Sequence, residues 1–193
     1  MLAAFTKARE IVEKWLPDHQ ESFPPVIINI SDGAPNDDAI FNQVVDQATE
    51  KWQFKLGDVS QTGLMIQSKA IRDKGTENGK CLVLNCHVST RGLSIIKYPS
   101  SISQAENIDP LAPLMFEMSS IIPETLRDLG NTPVDEGGIG LNPKLEHNAR
   151  FFIFNAEIHE LLKFMKFGTS RPLADGDSKA SLGSNASPGL PPP

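Results

Sequence analysis

The sequence predicts an α/β fold: an open, mostly parallel sheet flanked by helices, with a disordered tail at the carboxyl end. Three observations predict it. The run Val26-Ile27-Ile28-Asn29-Ile30 is almost continuously apolar and β-branched, as in a parallel strand covered on both faces, and helical periodicity lies on either side of it. Further apolar runs recur at Cys81 to Val88 and Arg150 to Asn155. From Thr169 onward Pro, Gly and Ser dominate and no aromatic occurs.

The elements follow in order. Phe5, Ala8, Val12, Trp15 and Leu16 fall three or four apart and make one apolar face of a helix, which Pro17 stops. A loop over 18–25 leads into the first strand, which ends in Ser31-Asp32-Gly33. Asp37 and Asp38 favour the positive end of a second helix, with Phe41, Val44, Val45, Ala48 and Trp52 as its buried stripe. Residues 53–79 are polar and broken by glycines; they predict an insertion or irregular excursion with a short helix over 66–73 and a turn at Asn78-Gly79.

Cys81 to Val88 is the second strand and Leu93 to Tyr98 a third, antiparallel to it through a turn at 90–92. Leu111 to Leu129 is helical, with Pro113 in its first turn and Pro123 as a break. Gly130 to Ala149 predicts a mobile loop. Arg150 to Asn155 is a buried strand. Glu157 to Phe167 is a last amphipathic helix on Ile158, Leu161, Leu162 and Met165, closed by Gly168. One domain over 1–168 and a tail over 169–193 result; the tail has no proline motif with a basic flank and is expected to be solvated.

Composition narrows the function. The chain has 193 residues, with 18 basic and 24 acidic side chains, so its net charge is −6. That argues against a general nucleic-acid binder, which needs a cationic surface. No apolar run approaches the ~20 residues of a membrane span. Met1-Leu2-Ala3-Ala4-Phe5 runs straight into charged residues, unlike a secretory leader. Cys81 and Cys86 cannot form a disulfide scaffold or a zinc site alone, and two thiols fit a reducing, cytoplasmic setting.

The run Val-Ile-Ile-Asn-Ile-Ser-Asp-Gly over 26–33 resembles the strand and Asp-Gly turn of von Willebrand factor type A domains. The helix before it and the approach Phe23-Pro24-Pro25 extend the likeness. The pieces Asn85-Cys86-His87-Val88-Ser89, Met118-Ser119-Ser120-Ile121-Ile122-Pro123 and Phe154-Asn155-Ala156-Glu157 resemble the back half of a bacterial group of these proteins. The resemblance covers most of the chain up to Gly168. It implies a partial von Willebrand factor A, Rossmann-like fold and a metal-ion-dependent adhesion site holding Mg²⁺ at the top of the sheet. Asp32 stands at that family's last ligand position.

The sequence departs from the family upstream. The first strand with its Asp-x-Ser-x-Ser turn is absent, and the family's Thr would fall just before Met1. The expectation is an amino-terminally truncated domain with an incomplete site, in which cation binding is weak or lost, because Mg²⁺ needs about six oxygens. An unpaired strand edge is then an association hazard. Asp58-Val59-Ser60-Gln61-Thr62-Gly63 imitates the missing turn but follows no strand. Asp32 also has a plainer role open to it, as a turn residue capping backbone amides.

Two functions compete. The first is a non-enzymatic protein-binding module with Asp32 as its one metal position. The alternative is a hydrolase using Ser89, His87 and Asp32, since Asn85, His87 and Ser89 alternate and share one strand face. No Gly-x-Ser-x-Gly elbow is present to display the serine. An inactive fragment is the remaining alternative. His19, His147 and His159 have no ligand-spaced companions and read as surface histidines; Gly137-Gly138-Ile139-Gly140 follows no strand, so no dinucleotide site is expected.

Overall fold

The computed structural model describes residues 1–32, 41–45, 52–56, 62–88, 95–105 and 111–170. Helix α1 (Leu2–Trp15) buries Phe5 and Val12, and the chain turns through Leu16–Asp18, where Pro17 sits. Strand β1 (Val26–Ser31) follows. Then come β2 (Phe41–Val45), β3 (Trp52–Leu56) and α2 (Gly63–Arg72). The short strands β4 (Gly75–Thr76) and β5 (Gly79–Lys80) lead into β6 (Leu82–His87). Strand β7 (Ile96–Lys97), α3 (Ala112–Met118), α4 (Glu124–Asn131), β8 (Phe152–Phe154) and α5 (Ile158–Gly168) complete the order.

The main sheet runs β1-β6-β8-β7. β1 is parallel to β6, from Val26 opposite Leu82 to Ser31 opposite His87. β8 is parallel to β6, with Asn85 opposite Phe152, and β7 is antiparallel to β8. The fold is therefore α/β with a mostly parallel sheet, as the apolar runs predict. β1 stands at one end of the order, with β6 as its strand neighbour among the described residues. Its residues are half-buried, and Ile30 is exposed, so the two-sided cover expected of this run is not present.

Two cores follow from strand alternation. On one face Val83, Phe152 and Phe154 pack with Phe5, Leu64, Ile71, Leu114, Met115 and Met118 of α1, α2 and α3. On the other, Leu84, Cys86 and Ile153 pack with Phe164 and Phe167 of α5, and with Leu126 of α4. α5 approaches β6 closely: a Cβ on Gly168 would lie 1.9 Å from Leu84 Cδ2. That contact, and not only helix termination, requires glycine here.

The segment between α3 and α4 is stitched to the sheet. Ser119 Oγ donates to Met115 O at 2.7 Å and ends α3. Ser120 N–H donates to Val83 O, and Val83 N–H donates to Ser120 Oγ, both at 2.9 Å. Arg150 Nη1 reaches the carbonyls of Phe116, Glu117 and Ser119 at 3.3, 3.1 and 3.0 Å, capping the negative end of α3. On the far side, Lys97 holds Glu160 at 3.2 Å and ties β7 to α5. Burial raises the Glu160 carboxyl, but the Lys97 hydrogen bond and charge, with the charges of Lys163 and His159, together outweigh it and hold the group below its ordinary value.

Four expectations need correction. The helix expected after Asp37 and Asp38 does not form over its central part: β2 and β3 pair antiparallel there, Phe41 opposite Leu56 and Val45 opposite Trp52. The physical reason is the period-2 pattern of Trp52-Gln53-Phe54-Lys55-Leu56, which suits a strand. β7 pairs with β8 and not with β6, because β8 inserts between them. The loop 130–149 is not loose: Leu141, Leu145 and Ala149 are buried, and Asn131 clasps Leu145 through both its N–H and its C=O. α5 buries Phe164 and Phe167, while Ile158 and Leu162 are exposed. The two phenyl rings lie against Tyr98 and Phe151, and that aromatic cluster sets the helix's rotation.

The stretch 53–79 holds β3, α2 and the β4–β5 hairpin, with α2 starting three residues before the expected helix and placing Leu64 and Ile71 in the core. Residues 37–40, 46–51, 57–61 and 89–94 lie outside the described residues. So does the expected tail, apart from Thr169 and Ser170. Among the described residues no helix is long and apolar enough to cross a membrane.

Candidate functional site

The parallel strands bring their carboxyl ends to one rim. Val88 N–H donates to Ser31 O at 2.8 Å, and Ala156 N–H donates to His87 O at 3.0 Å. These two bonds lock the exits of β1, β6 and β8 side by side. In open α/β sheets this is the end where ligands are met. Asp32 follows the last residue of β1, so its position on the rim is a direct consequence of the strand's direction. It is exposed to solvent.

Beneath the rim the side chains are polar but buried. Ser31 is in register with His87. Its Oγ is buried and has no hydrogen-bond partner among the described residues. His87 is 8% exposed, and its ring stacks on Phe154 with centroids 4.2 Å apart and planes 11° from parallel. Asn155 takes a left-handed conformation at φ 57°, which asparagine tolerates, and turns the chain away from β8.

One layer lower, a hydrogen-bonded chain crosses the sheet. Asn29 Nδ2 donates to Asn85 Oδ1 at 2.9 Å. Asn85 Nδ2 donates to Ser119 Oγ at 2.9 Å and approaches Met115 O at 3.3 Å. Asn85 is fully buried. A buried amide with satisfied partners specifies one arrangement of its neighbours. Here it fixes β1, β6 and the end of α3 relative to one another, and so steadies the rim above.

The predicted residues thus separate. Asp32 is on the rim. His87 lies under it as an aromatic packing partner. Ser89 is outside the described residues, as are Asp58 and Ser60 of the imitation turn. Thr62 of that turn caps α2, its Oγ1 accepting Met65 N–H at 3.2 Å. His19 stacks on Trp15 at 4.1 Å and is half-buried rather than solvated. His147 lies 3.2 Å from Arg127, and His159 bridges Glu157 and Glu160. Cys81 and Cys86 are free and buried, and burial pushes the Cys86 thiol up to about 12, which keeps it protonated near neutrality.

The Mg²⁺ site implied by the resemblance can be tested on the donors. Mg²⁺ demands a near-octahedral set of hard oxygens. Among the described residues no three His, Cys, Asp or Glu side chains gather closely enough to hold a metal ion.

Sequence reasoning missed a second feature. A cleft of about 480 Å³ opens at the amino ends of the strands, opposite the rim, lined by residues including Phe23, Arg72, Lys80, Leu82, Ile121 and Leu126. Its wall comes from four separate stretches of chain, so no local motif announces it. Comparison with protein families, with curated proteins and with solved structures finds no match to this chain.

Proposed function

We propose that the chain is a non-enzymatic protein-binding module whose contact surface is the carboxyl rim of its sheet. The observation that carries this reading is the exposed Asp32 carboxylate at the exit of a parallel strand. A carboxylate there accepts hydrogen bonds from a partner's cationic or amide groups. The buried Asn29–Asn85–Ser119 chain holds the strand ends beneath it, so little ordering cost falls on binding. The helix, strand and Asp-Gly sequence resembling von Willebrand factor type A domains supports the same reading.

The test uses a photo-crosslinking residue at Ile30, which is exposed and alternates onto the Asp32 side of β1. A second variant carries the crosslinker at Asn78, at the other end of the sheet. A discrete protein adduct from position 30 is expected, absent from position 78 and reduced about tenfold by Asp32→Asn, the scale of a lost charged hydrogen bond. Equal adduct patterns from both positions, or no adduct at all, would contradict the module. Turnover of ester or phosphoester substrates abolished by Ser89→Ala would replace it with the hydrolase.

A further inference from the structure

We infer that the cleft at the amino ends of β1 and β6 is a binding site for a small organic carboxylate with an apolar body. Its volume, about 480 Å³, suits a small molecule. Its walls are mainly hydrocarbon, from Phe23, Pro24, Leu82, Ile121 and Leu126. Two cations, Arg72 and Lys80, stand in the same wall, and among the described residues no Asp or Glu does. In a chain of net charge −6 this is a locally inverted surface.

Arg72 is the anchor. Nη1 spends one donor on Ser119 O at 3.2 Å, and Nε is buried without an acceptor among the described residues. The neighbouring carboxylates are engaged elsewhere: Glu117 with Arg150 at 3.4 Å and Asp73 with Lys69 at 2.6 Å. Arg150 adds like charge. Burial and then the like charge of Arg150 push the Arg72 guanidinium down, and Glu117 and Asp73 offset this only in part. A carboxylate in the cleft would supply further negative charge through a planar, fork-shaped contact.

Lys80 is exposed and donates to Asp73 O at 2.8 Å, so it adds field at the mouth rather than a fixed contact. One half-buried cation and an apolar wall favour a monoanion over a dianion, because each further charge must be desolvated. The ligand's hydrocarbon would cover Leu82 and Ile121 while its head meets Arg72.

Hydrocinnamate is the probe, with hydrocinnamamide and inorganic phosphate as comparators. Binding is read from amide proton–nitrogen spectra of the full chain, at Gly79, Cys81, Thr125 and Leu126. Hydrocinnamate is expected to shift these signals saturably at millimolar concentration. The neutral amide should bind at least about tenfold more weakly, as should the acid with Arg72→Gln. Thr125→Trp, an exposed change on α4, should block the cleft without touching the core and abolish the shifts. No saturable shift with the spectrum otherwise folded would overturn the site. Equal binding of acid and amide, or displacement by phosphate at equal concentration, would overturn the ligand class.

Discussion

Phe154→Ala is expected to lower the unfolding free energy by about 3–5 kcal/mol. Phe154 is fully buried at the end of β8. It stacks on His87 and packs at a tilt against Phe152, 5.9 Å between centroids. Alanine removes the ring and leaves a cavity that two strands and α3 cannot close. Against a total stability of ~5–15 kcal/mol that loss is a large fraction of the whole. Urea titration measures the loss. Phe154→Leu keeps most of the volume and should cost less than half as much. A loss under about 1 kcal/mol for the alanine variant would mean that the ring is not in the core.

Asn85→Leu is the second large effect, expected at about 2–4 kcal/mol. Leucine has similar volume, so the cost is chemical. Asn29 loses the acceptor for its Nδ2, and the amide link to Ser119 disappears. Adding Asn29→Leu removes the stranded donor, so the double variant should be less destabilised than the sum of the two singles. The cycle is read by the same urea titration. Strict additivity would show that the two amides do not meet across β1 and β6.

The parts of this fold written in continuous apolar runs were legible. β1, β6 and β8 are such runs; β6 and β8 are buried as their composition implies, whereas β1 is only half-buried. The breaks at Pro17 and Pro123 were legible because proline removes a donor wherever it stands. The β2–β3 hairpin was not, because Phe41, Val44 and Val45 satisfy a helical stripe while the strand pattern shows only from Trp52 onward. The apolar residues of α5 cover more than half of its circumference, so periodicity left the choice of face within that arc open; the larger rings of Phe164 and Phe167 made it. Leu141 and Leu145 reach the core from a segment with no period.

The rim and the cleft divide in the same way. Asp32 was legible because a parallel strand's direction fixes where its last residue emerges. The His87 stack on Phe154 joins two strands far apart in sequence, so it was hidden. The cleft was hidden more thoroughly, because Phe23, Arg72, Lys80 and Ile121 share nothing in the sequence beyond the fold that gathers them.

Everything argued for the rim depends on β1 running parallel to β6 and ending level with it. The most direct measurement is the scalar coupling transmitted across backbone hydrogen bonds in a labelled sample. Coupling is expected from the Val88 amide nitrogen to the Ser31 carbonyl carbon, and from the Ala156 nitrogen to the His87 carbonyl carbon. Both amides should also exchange slowly with solvent. Coupling of Val88 to a carbonyl near Val26, or rapid exchange at both amides, would place Asp32 away from the strand exits and rule out the rim as the contact surface.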